Sequence, residues 1–385
     1  MLSLSKHVPL FFNSLSKSEP ELILERPSLT EEEAMRLLVH GFILTLFLVS
    51  SGWAQAVKPM PLAQLAAYNK PDREKVLYEG AKTEGKITWY TSLAGESYKQ
   101  LAASFEAKYP GVKVESYRAT RQEMSARIMA EAQAQRYIVD TLETTIPLLK
   151  FLKDNKMIQP YYFPTEAKFP DAVKDKSSVK GLYYWAIDRE SHIGLGYNKN
   201  SIPAAVVPKN YEGLLRPELK DKIALAGSDT GVTVVGAMLK FKGEEYIKKL
   251  KSQNIAIHNV SGRALLDLVI SGEVGVSPTI FRNHVEVSQK AGAPVEWVPM
   301  EVVPNNSGST AVSVQAPHPH AALLLADFIL GEGGQKVLQQ YEYGNPTKDY
   351  GFKRWYPEQG LSTDQIEKLE EKWNKTMRDL TKKFS

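Results

Sequence analysis

Strand-like and helix-like segments alternate along this chain, and that alternation limits the fold more than any other feature of the sequence. Residues 86–93 (KITWYTSL) are rich in β-branched and aromatic side chains, and 112–117 and 138–143 have the same strand-like character. Between them, 94–109 and 121–136 carry apolar residues at a helical spacing. Strands separated by helices of about 15 residues pair in parallel, so the pattern predicts an α/β fold.

The alternation continues through the rest of the chain. Further strands are predicted at 193–197, 223–226, 274–280, 295–300 and 310–314. Further helices are predicted at 232–250, 262–271, 320–341 and 363–383. Because the sequence contains neither an internal repeat nor a low-complexity linker, we expect two α/β lobes that share several chain crossings. Two such lobes enclose a cleft at the carboxyl ends of their strands, where open α/β sheets bind ligands.

A short apolar run near the amino terminus predicts an export signal. Residues 37–49 form an almost entirely apolar run of 13 residues, which Arg36 precedes and the small residues Ala54-Gln55-Ala56 follow. This order is that of a secretory signal over 35–56, cleaved after Ala56 in a periplasmic protein. A buried helix and a membrane anchor are the alternatives, although a bilayer needs about 20 residues. Residues 1–34 fit no signal, so we expect a non-native upstream extension with the true start at residue 35.

The composition excludes several classes of site and partner. The chain has no cysteine, which excludes disulfides, thiolate metal sites, cysteine nucleophiles and a lipid anchor on an amino-terminal cysteine. Its 48 basic and 44 acidic residues are interspersed, a balance that does not indicate a nucleic-acid-binding protein. We therefore expect a protein that binds no nucleic acid. We also expect it to be a soluble monomer.

Taken in order, several segments resemble the extracytoplasmic solute-binding proteins of ABC importers, in the ferric-iron-type group. The segments are KITWYTSL, IMAEAQAQRYIVDTLET, GLYYWAIDRESHIGLGYNKN, GEVGVSPTIFRNHVEVSQKAGAPVEWVPME and APHPHAALLLADFILGEGGQ, and the resemblance covers about residues 84–350. It implies the type II periplasmic binding fold, in which two lobes close about a hinge onto a ligand in a central cleft. It also implies a membrane ABC permease as partner.

The same resemblance predicts how the chain divides. Lobe 1 is expected to comprise 57–190 and 305–345, because the chain returns to it after the second lobe. Lobe 2 is expected to comprise 191–304. The remaining residues, 346–385, are expected to form a helical segment that packs on the lobes.

The resemblance leaves the ligand open. Iron-binding relatives typically hold Fe³⁺ with two adjacent tyrosines together with a carboxylate, a histidine or a bound anion. That pair would be expected after Gly272-Glu273, where this chain reads VGVSPTIFR at 274–282 without a tyrosine. The adjacent pairs Tyr161-Tyr162 and Tyr183-Tyr184 are interpreted as packing aromatics. We therefore expect a small organic anion, a carboxylate or phosphonate, and keep Fe³⁺ as the alternative, carried as a transported ion and not as a cofactor.

The candidate ligand-binding residues are hydroxyl-bearing or basic residues that follow predicted strands or begin predicted helices. They are Tyr90, Thr91, Ser92, Arg118, Thr144, Arg189, Ser228, Thr230, Arg263, Arg282, Ser307 and Ser309. Guanidinium groups bind carboxylates and phosphonates through paired hydrogen bonds, and hydroxyls and helix amino termini complete an oxygen shell. For Ser228, Asp229 and Ser261, helix capping is the preferred interpretation. His258 and His284 are possible ligand contacts, but each is interpreted as a satisfied structural histidine.

The sequence carries no recognisable catalytic pattern. The motifs G-x-S-x-G and G-x-x-x-x-G-K-[ST] are absent, and His318-Pro319-His320 has no carboxylate next to it in the sequence. We therefore expect a carrier with no enzymatic activity, no catalytic residues, no resident metal and no cofactor. A hydrolase and a ligand sensor that docks on a membrane receptor are the alternatives from other classes.

Overall fold

A computed structural model describes residues 60–380. The expected upstream extension and export signal lie outside these residues. Within residues 60–380, no helix combines the length and the apolar character needed to cross a bilayer.

Twelve α-helices and twelve strands make up the described chain. The helices are α1 Leu62–Ala66, α2 Arg73–Glu84, α3 Ser97–Lys108, α4 Arg121–Gln133, α5 Ile146–Asp154, α6 Asp229–Lys242, α7 Glu244–Leu250, α8 Gly262–Ser271, α9 Arg282–Lys290, α10 Pro319–Leu330, α11 Glu332–Gln340 and α12 Thr363–Leu380. The strands are β1 Lys86–Thr91, β2 Lys113–Arg118, β3 Thr141–Thr145, β4 Ile158–Gln159, β5 Lys174–Lys176, β6 Tyr183–Asn198, β7 Ala224–Ala226, β8 Ala256–His258, β9 Val276–Phe281, β10 Val295–Val298, β11 Val303–Ser313 and β12 Arg354–Trp355.

One long strand, β6, belongs to both halves of the molecule. Ten strands form a sheet with the order β10-β6-β11-β3-β1-β2, in which β4 and β12 also pair with β11, and β5 and β9 with β6. The first part of β6 pairs with β5 and β11, and its last residues pair with β9 and β10. The strands β7 and β8 form a parallel pair, and a bridge from Ile223 to Val276 ties them to β9. The sheet therefore runs without a break from one lobe into the other.

Separate apolar cores form on the two sides of this shared strand. In the first lobe, α2, α3 and α10 pack on one face of the sheet around Trp89 and Phe105, while α4 and α5 pack on the other around Tyr90 and Leu142. In the second lobe, α6 and α7 bury one core with Ile193 of β6, and α8 and α9 bury another. Two cores in each half make each lobe a three-layer α/β unit.

The carboxyl-terminal helix α12 contacts both lobes. It packs mainly along α6 and α7 of the second lobe, and also against α5 of the first. Trp373 of α12 is buried against α6 at Gly236, where a Cβ atom would lie 2.5 Å from the indole ring. The segment before α12 contributes β12, which pairs with the start of β11. The carboxyl-terminal segment thus joins the two halves at a place separate from β6.

The sequence predicted the order of elements well and some of their limits poorly. The helix predicted over 232–250 is divided at Gly243, which adopts a φ of 81° that favours glycine and separates α6 from α7. The helix predicted over 320–341 is divided at Gly331. The strand predicted at 193–197 begins ten residues earlier, at Tyr183, because a run of polar side chains in β6 is buried and hydrogen-bonded.

Candidate ligand-binding site

The carboxyl ends of three parallel strands meet at one edge of the first lobe. Thr91 at the end of β1 lies opposite Arg118 of β2 on one side and Glu143 of β3 on the other. The helix α4 begins at the same edge, where Thr120 and Glu123 form a capping box that satisfies the N–H groups of these two residues. This edge is the position at which α/β sheets bind ligands.

A fully buried carboxylate, that of Glu143, occupies the centre of this edge. Its Oε2 accepts hydrogen bonds from the Thr91 hydroxyl at 2.7 Å, from the Ser92 N–H at 3.1 Å and hydroxyl at 3.3 Å, and from the Leu93 N–H at 3.1 Å. The sequence predicts that Thr91 and Ser92 contact a bound anion. In the structure both residues contact an anionic group that belongs to the chain itself.

Arg189 of β6 completes this cluster. Its Nε donates to Glu143 Oε1 at 3.0 Å, and its two terminal nitrogens donate to the hydroxyls of Ser191 at 3.3 Å and Ser92 at 3.1 Å. The side chain is only 6% exposed. Burial by itself would lower the pKa of Arg189, but the carboxylate of Glu143 raises it, so the group stays charged. One of its three side-chain partners is a carboxylate and the other two are hydroxyls.

Three further predicted hydroxyls lie on the opposite face of the same strands. Thr144 is the register partner of Ser309, and Ser307 lies two residues along β11 on the same face. Glu143 precedes Thr144, and Gly308 lies between Ser307 and Ser309, so these two residues face the other side of the sheet. The hydroxyls of Thr144, Ser307 and Ser309 are buried and have no hydrogen-bond partner within residues 60–380. The predicted set is thus divided between two faces of the crossing strands.

The second lobe contributes two helix amino termini. Ser228 precedes α6, and its buried hydroxyl accepts no capping bond and has no partner in the described chain, while Thr230 is buried in the first turn. Ser261 does cap α8, because its side chain accepts a bond from the Ala264 N–H at 3.2 Å. The capping alternative therefore holds for Ser261 and not for the hydroxyl of Ser228.

The predicted arginines of the second lobe are engaged within that lobe. Arg263 donates to Asp267 at 2.7 Å and to the Ser288 hydroxyl at 2.9 Å. Arg282 pairs with Glu286 at 2.7 Å and lies over the ring of Tyr350. Each of these arginines therefore already has a carboxylate partner.

His284 is a buried histidine that lies near arginines of both lobes. Burial and the positive charges of Arg263 and Arg189 lower the pKa of His284 to about 4, so the imidazole is neutral at physiological pH. Its Nδ1 has no hydrogen-bond partner in the part of the chain that the structure describes. Arg263 belongs to the second lobe, whereas Arg189 joins the cluster at the end of β1 in the first lobe. Guanidinium groups from both halves therefore lie near this imidazole.

Tyr90 and Arg118 occupy different surroundings from the other predicted residues. The Tyr90 hydroxyl donates to Glu131, and the ring is buried between β1 and α4 under the guanidinium of Arg127. Adjacent strand residues point to opposite faces, so Tyr90 points away from the cluster that contains Thr91. Arg118 is exposed, and its Nε donates to the Leu93 carbonyl oxygen at 3.3 Å. Arg118 is therefore the predicted basic residue with the most accessible charge.

A polar cavity that the sequence did not predict lies between the lobes. It has a volume of about 170 Å³ and is lined by the start of α4, the start of α6 and the carboxyl-terminal segment. Arg121 of α4 pairs there with Asp229 of α6 at 3.3 Å and with Glu370 of α12 at 3.0 Å. Burial raises the pKa of Glu358 beside it to about 7. Only the three-dimensional arrangement brings these residues together, since Arg121 and Glu370 are 249 positions apart.

The residues considered for iron and for catalysis have structural partners. Ser277 and Thr279 of β9, in the stretch where the tyrosine pair was expected, share a hydrogen bond of 2.8 Å. The Tyr161 hydroxyl donates to a backbone oxygen at 2.9 Å inside the first core. His318 and His320 do have carboxylate neighbours in space, because their rings contact Asp140 and Glu84 and fix the start of α10. Residues 60–380 contain no group of three or more histidine, aspartate or glutamate side chains placed to hold a metal ion.

The sequence is similar to one family of binding proteins. The sequence model of the family described as bacterial extracellular solute-binding protein matches residues 142–368, which include most of β3, the shared strand β6 and the first six residues of α12. No curated protein matches the chain.

Solved structures of periplasmic binding proteins share the fold. Iron-bound HitA from Pseudomonas aeruginosa is 20% identical with a TM-score of 0.61, over 77% of this chain and 99% of that one. AfuA from Actinobacillus pleuropneumoniae, solved with fructose 6-phosphate, is 22% identical with a TM-score of 0.62, over 77% and 99%. The substrate-binding protein of an ABC transporter from Agrobacterium tumefaciens is 16% identical with a TM-score of 0.65, over 76% and 94%. The likeness confirms the predicted two-lobe α/β fold.

Proposed function

We propose that this chain, which belongs to the bacterial extracellular solute-binding protein family, is the solute-binding component of an ABC transporter and that its solute is a small organic anion. The anion is a carboxylate or a phosphonate, captured in the periplasm between the two lobes. The monomeric protein then presents the closed, loaded form to a membrane ABC permease. The family and fold are those of binding proteins, which supports a carrier over a hydrolase.

One observation supports the anionic ligand above all others. Guanidinium groups of both lobes, those of Arg189 and Arg263, lie close enough to His284 to help keep its imidazole neutral. Arg189 is buried in the strand that both lobes share, and two of its N–H groups are bound only by hydroxyls. A carboxylate or phosphonate competes well for such donors, because charge-assisted hydrogen bonds are stronger than those to neutral oxygens.

Ligand capture follows from the way the lobes are joined. In this proposal, the ends of β1 and β3 form one side of the cleft and the starts of α6, α8 and α9 form the other. A ligand that contacts both sides does so only in the closed form, so it favours closure by its difference in affinity for the two forms. The shared strands β6 and β11 are the elements about which the lobes would move.

Binding assays on the mature protein test the anionic ligand. Thermal unfolding is followed with acetate, citrate, methylphosphonate, fructose 6-phosphate, ferric citrate and ferric nitrilotriacetate. A ligand at a hundred times its dissociation constant adds about 2.7 kcal/mol of stability, so a true ligand gives a clear shift. We expect at least one metal-free organic anion to stabilise the protein. Stabilisation by both ferric complexes, but by no metal-free anion, would instead support iron transport.

An arginine substitution then tests the cleft itself. Arg118 is exposed, so Arg118→Ala should weaken binding of the stabilising anion about tenfold while leaving the melting temperature nearly unchanged. Arg136→Ala, which removes an exposed arginine beyond the end of α4, is the matched control and should bind normally. Unchanged affinity in Arg118→Ala would remove this residue from the site. Loss of solute uptake on gene deletion, without loss of a signalling response, separates a carrier from a sensor.

A further inference from the structure

The end of β1 forms a complete anion-binding group that the chain fills with its own carboxylate. We call this group the β1 cradle and define it by four residues, Thr91, Ser92, Leu93 and Arg189. It supplies two backbone N–H groups, two hydroxyls and one guanidinium N–H, and all of them donate to Glu143. Successive N–H groups with a nearby guanidinium are the donors that proteins use to bind carboxylates and phosphates.

Both partners of this ion pair are withdrawn from water. The Glu143 side chain is completely buried and that of Arg189 is 6% exposed. A buried carboxylate is stable only when its oxygens are satisfied, and here Oε2 alone accepts four hydrogen bonds. Glu143 is therefore a fixed part of the cradle.

The backbone is shaped to hold the pair. At Gly308 in β11, a Cβ atom would lie 2.2 Å from Glu143 Oε1 and 2.6 Å from Arg189 Nε. Only glycine leaves room for both side chains to cross β11 at this point. The pair therefore links β3 to β6 across the backbone of β11, where the two lobes meet.

From this arrangement we infer that Glu143 sets the charge selectivity of the binding site. Its carboxylate cancels the charge of Arg189 and excludes the ligand from the β1 cradle. A bound anion then meets only the outer edge of the guanidinium and is repelled by Glu143 in proportion to its own charge. The site therefore selects singly charged anions over multiply charged ones. This inference rests on the proposed function, because it specifies the class of anion that the same site accepts.

The isosteric variant Glu143→Gln tests the inference directly. It removes the charge, keeps the shape, and is compared with wild type by calorimetry with acetate and with citrate at low ionic strength. We expect the variant to gain affinity for citrate by about tenfold more than for acetate. Glu131→Gln is the matched control. Like Glu143, Glu131 accepts from a side-chain hydroxyl, here that of Tyr90, and from an arginine Nε, here that of Arg127, but it lies in α4 on the other side of the sheet. This control variant should leave the ratio of the two affinities unchanged.

The outcomes separate this inference from the proposed function. If wild type binds no organic anion, the proposed function fails, whereas the inference still requires that Glu143→Gln bind citrate. An unchanged ratio of citrate to acetate affinity in Glu143→Gln, or no citrate binding by that variant, overturns the inference.

A second variant keeps the test decisive if Glu143→Gln folds poorly. Glu143→Ala empties the β1 cradle, so formate should raise its melting temperature, while neutral formamide should not. Wild type and Glu131→Ala, in which Glu143 still fills the β1 cradle, should show a smaller difference between formate and formamide. A formate-specific rise in Glu143→Ala no larger than that of wild type would show that the β1 cradle is not an anion site.

Discussion

The substitution Gly308→Ala tests how tightly the structure packs the Glu143–Arg189 pair. Gly308 lies in β11 opposite Arg189 of β6 and Thr145 of β3. The added methyl group would lie 2.2 Å from Glu143 Oε1, 2.6 Å from Arg189 Nε and 2.7 Å from Arg189 Cζ. These distances are far below van der Waals contact, so one of the two side chains must leave its place.

The magnitude follows from what the displaced side chain loses. Because both groups are buried, neither can move into water, and separating a buried ion pair typically costs about 3–5 kcal/mol. The lower end applies, since Glu143 Oε2 keeps its four donors when the contact at Oε1 is lost. Replacing glycine within a strand gains about 0.5–1 kcal/mol from reduced chain entropy. We therefore expect Gly308→Ala to lower the free energy of unfolding by about 2–3 kcal/mol.

Urea denaturation followed by tryptophan fluorescence measures this change, with the slope of the transition used to check that the native state stays compact. Ser309→Ala is the matched control. It alters the next residue of β11 on the opposite face, where the hydroxyl has no partner among the described residues, so its effect should stay within about 1 kcal/mol. A Gly308→Ala variant as stable as wild type would contradict the packing described for the pair.

Two further predictions concern the carboxyl-terminal segment. Burial raises the pKa of Glu358 to about 7 from its ordinary 4.5. As pH rises between these values, the unfolded chain loses this proton while the folded chain keeps it. Stability should therefore fall over this pH range. Glu358→Gln should remove this fall, up to about 3 kcal/mol, in urea unfolding at several pH values, and a variant with the wild-type pH dependence would refute the assignment. Trp373→Ala should destabilise the protein by about 3–4 kcal/mol, because the buried indole fills the contact between α12 and α6. Lys375→Ala, an exposed change on the same helix, is its control in thermal unfolding, and similar melting temperatures for the two variants would show that α12 does not stabilise the lobes.

The periodic parts of the sequence predicted most of the fold. The helix over 262–271 was predicted with the limits that α8 has, and β1 and β2 lie within two residues of their predicted limits. These segments are governed by local patterns, since α8 buries one apolar face at a helical spacing and β1 is a run of β-branched and aromatic residues. The early part of β6 lacked such a pattern because polar residues such as Asp188 and Glu190 are buried there. Their partners lie far away in the sequence, and no local rule identifies them.

The candidate site shows the same division between local and distant information. Thr91, Ser92 and Arg189 were all predicted as ligand contacts, and the structure does place them together. The sequence could not predict that they meet on Glu143, because this pairing depends on which face of β3 points to β1. It also placed Thr144 and Ser309 in the same set, although strand alternation turns them to the opposite face. Whether these residues contact a ligand stays a prediction for the binding assays.

The shared use of β6 and β11 governs the order in which the chain can fold during synthesis. The first lobe is not completed until α10 has been made, since Arg73 of α2 pairs with Asp327 of α10, 254 residues later. A ribosome must therefore release nearly the whole chain before the amino-terminal half can reach its final structure. Such distant contacts form slowly, because a long loop must close before they contribute stability. The newly made chain consequently stays open for longer than a protein built from two consecutive domains, an advantage if it must cross a membrane before it folds.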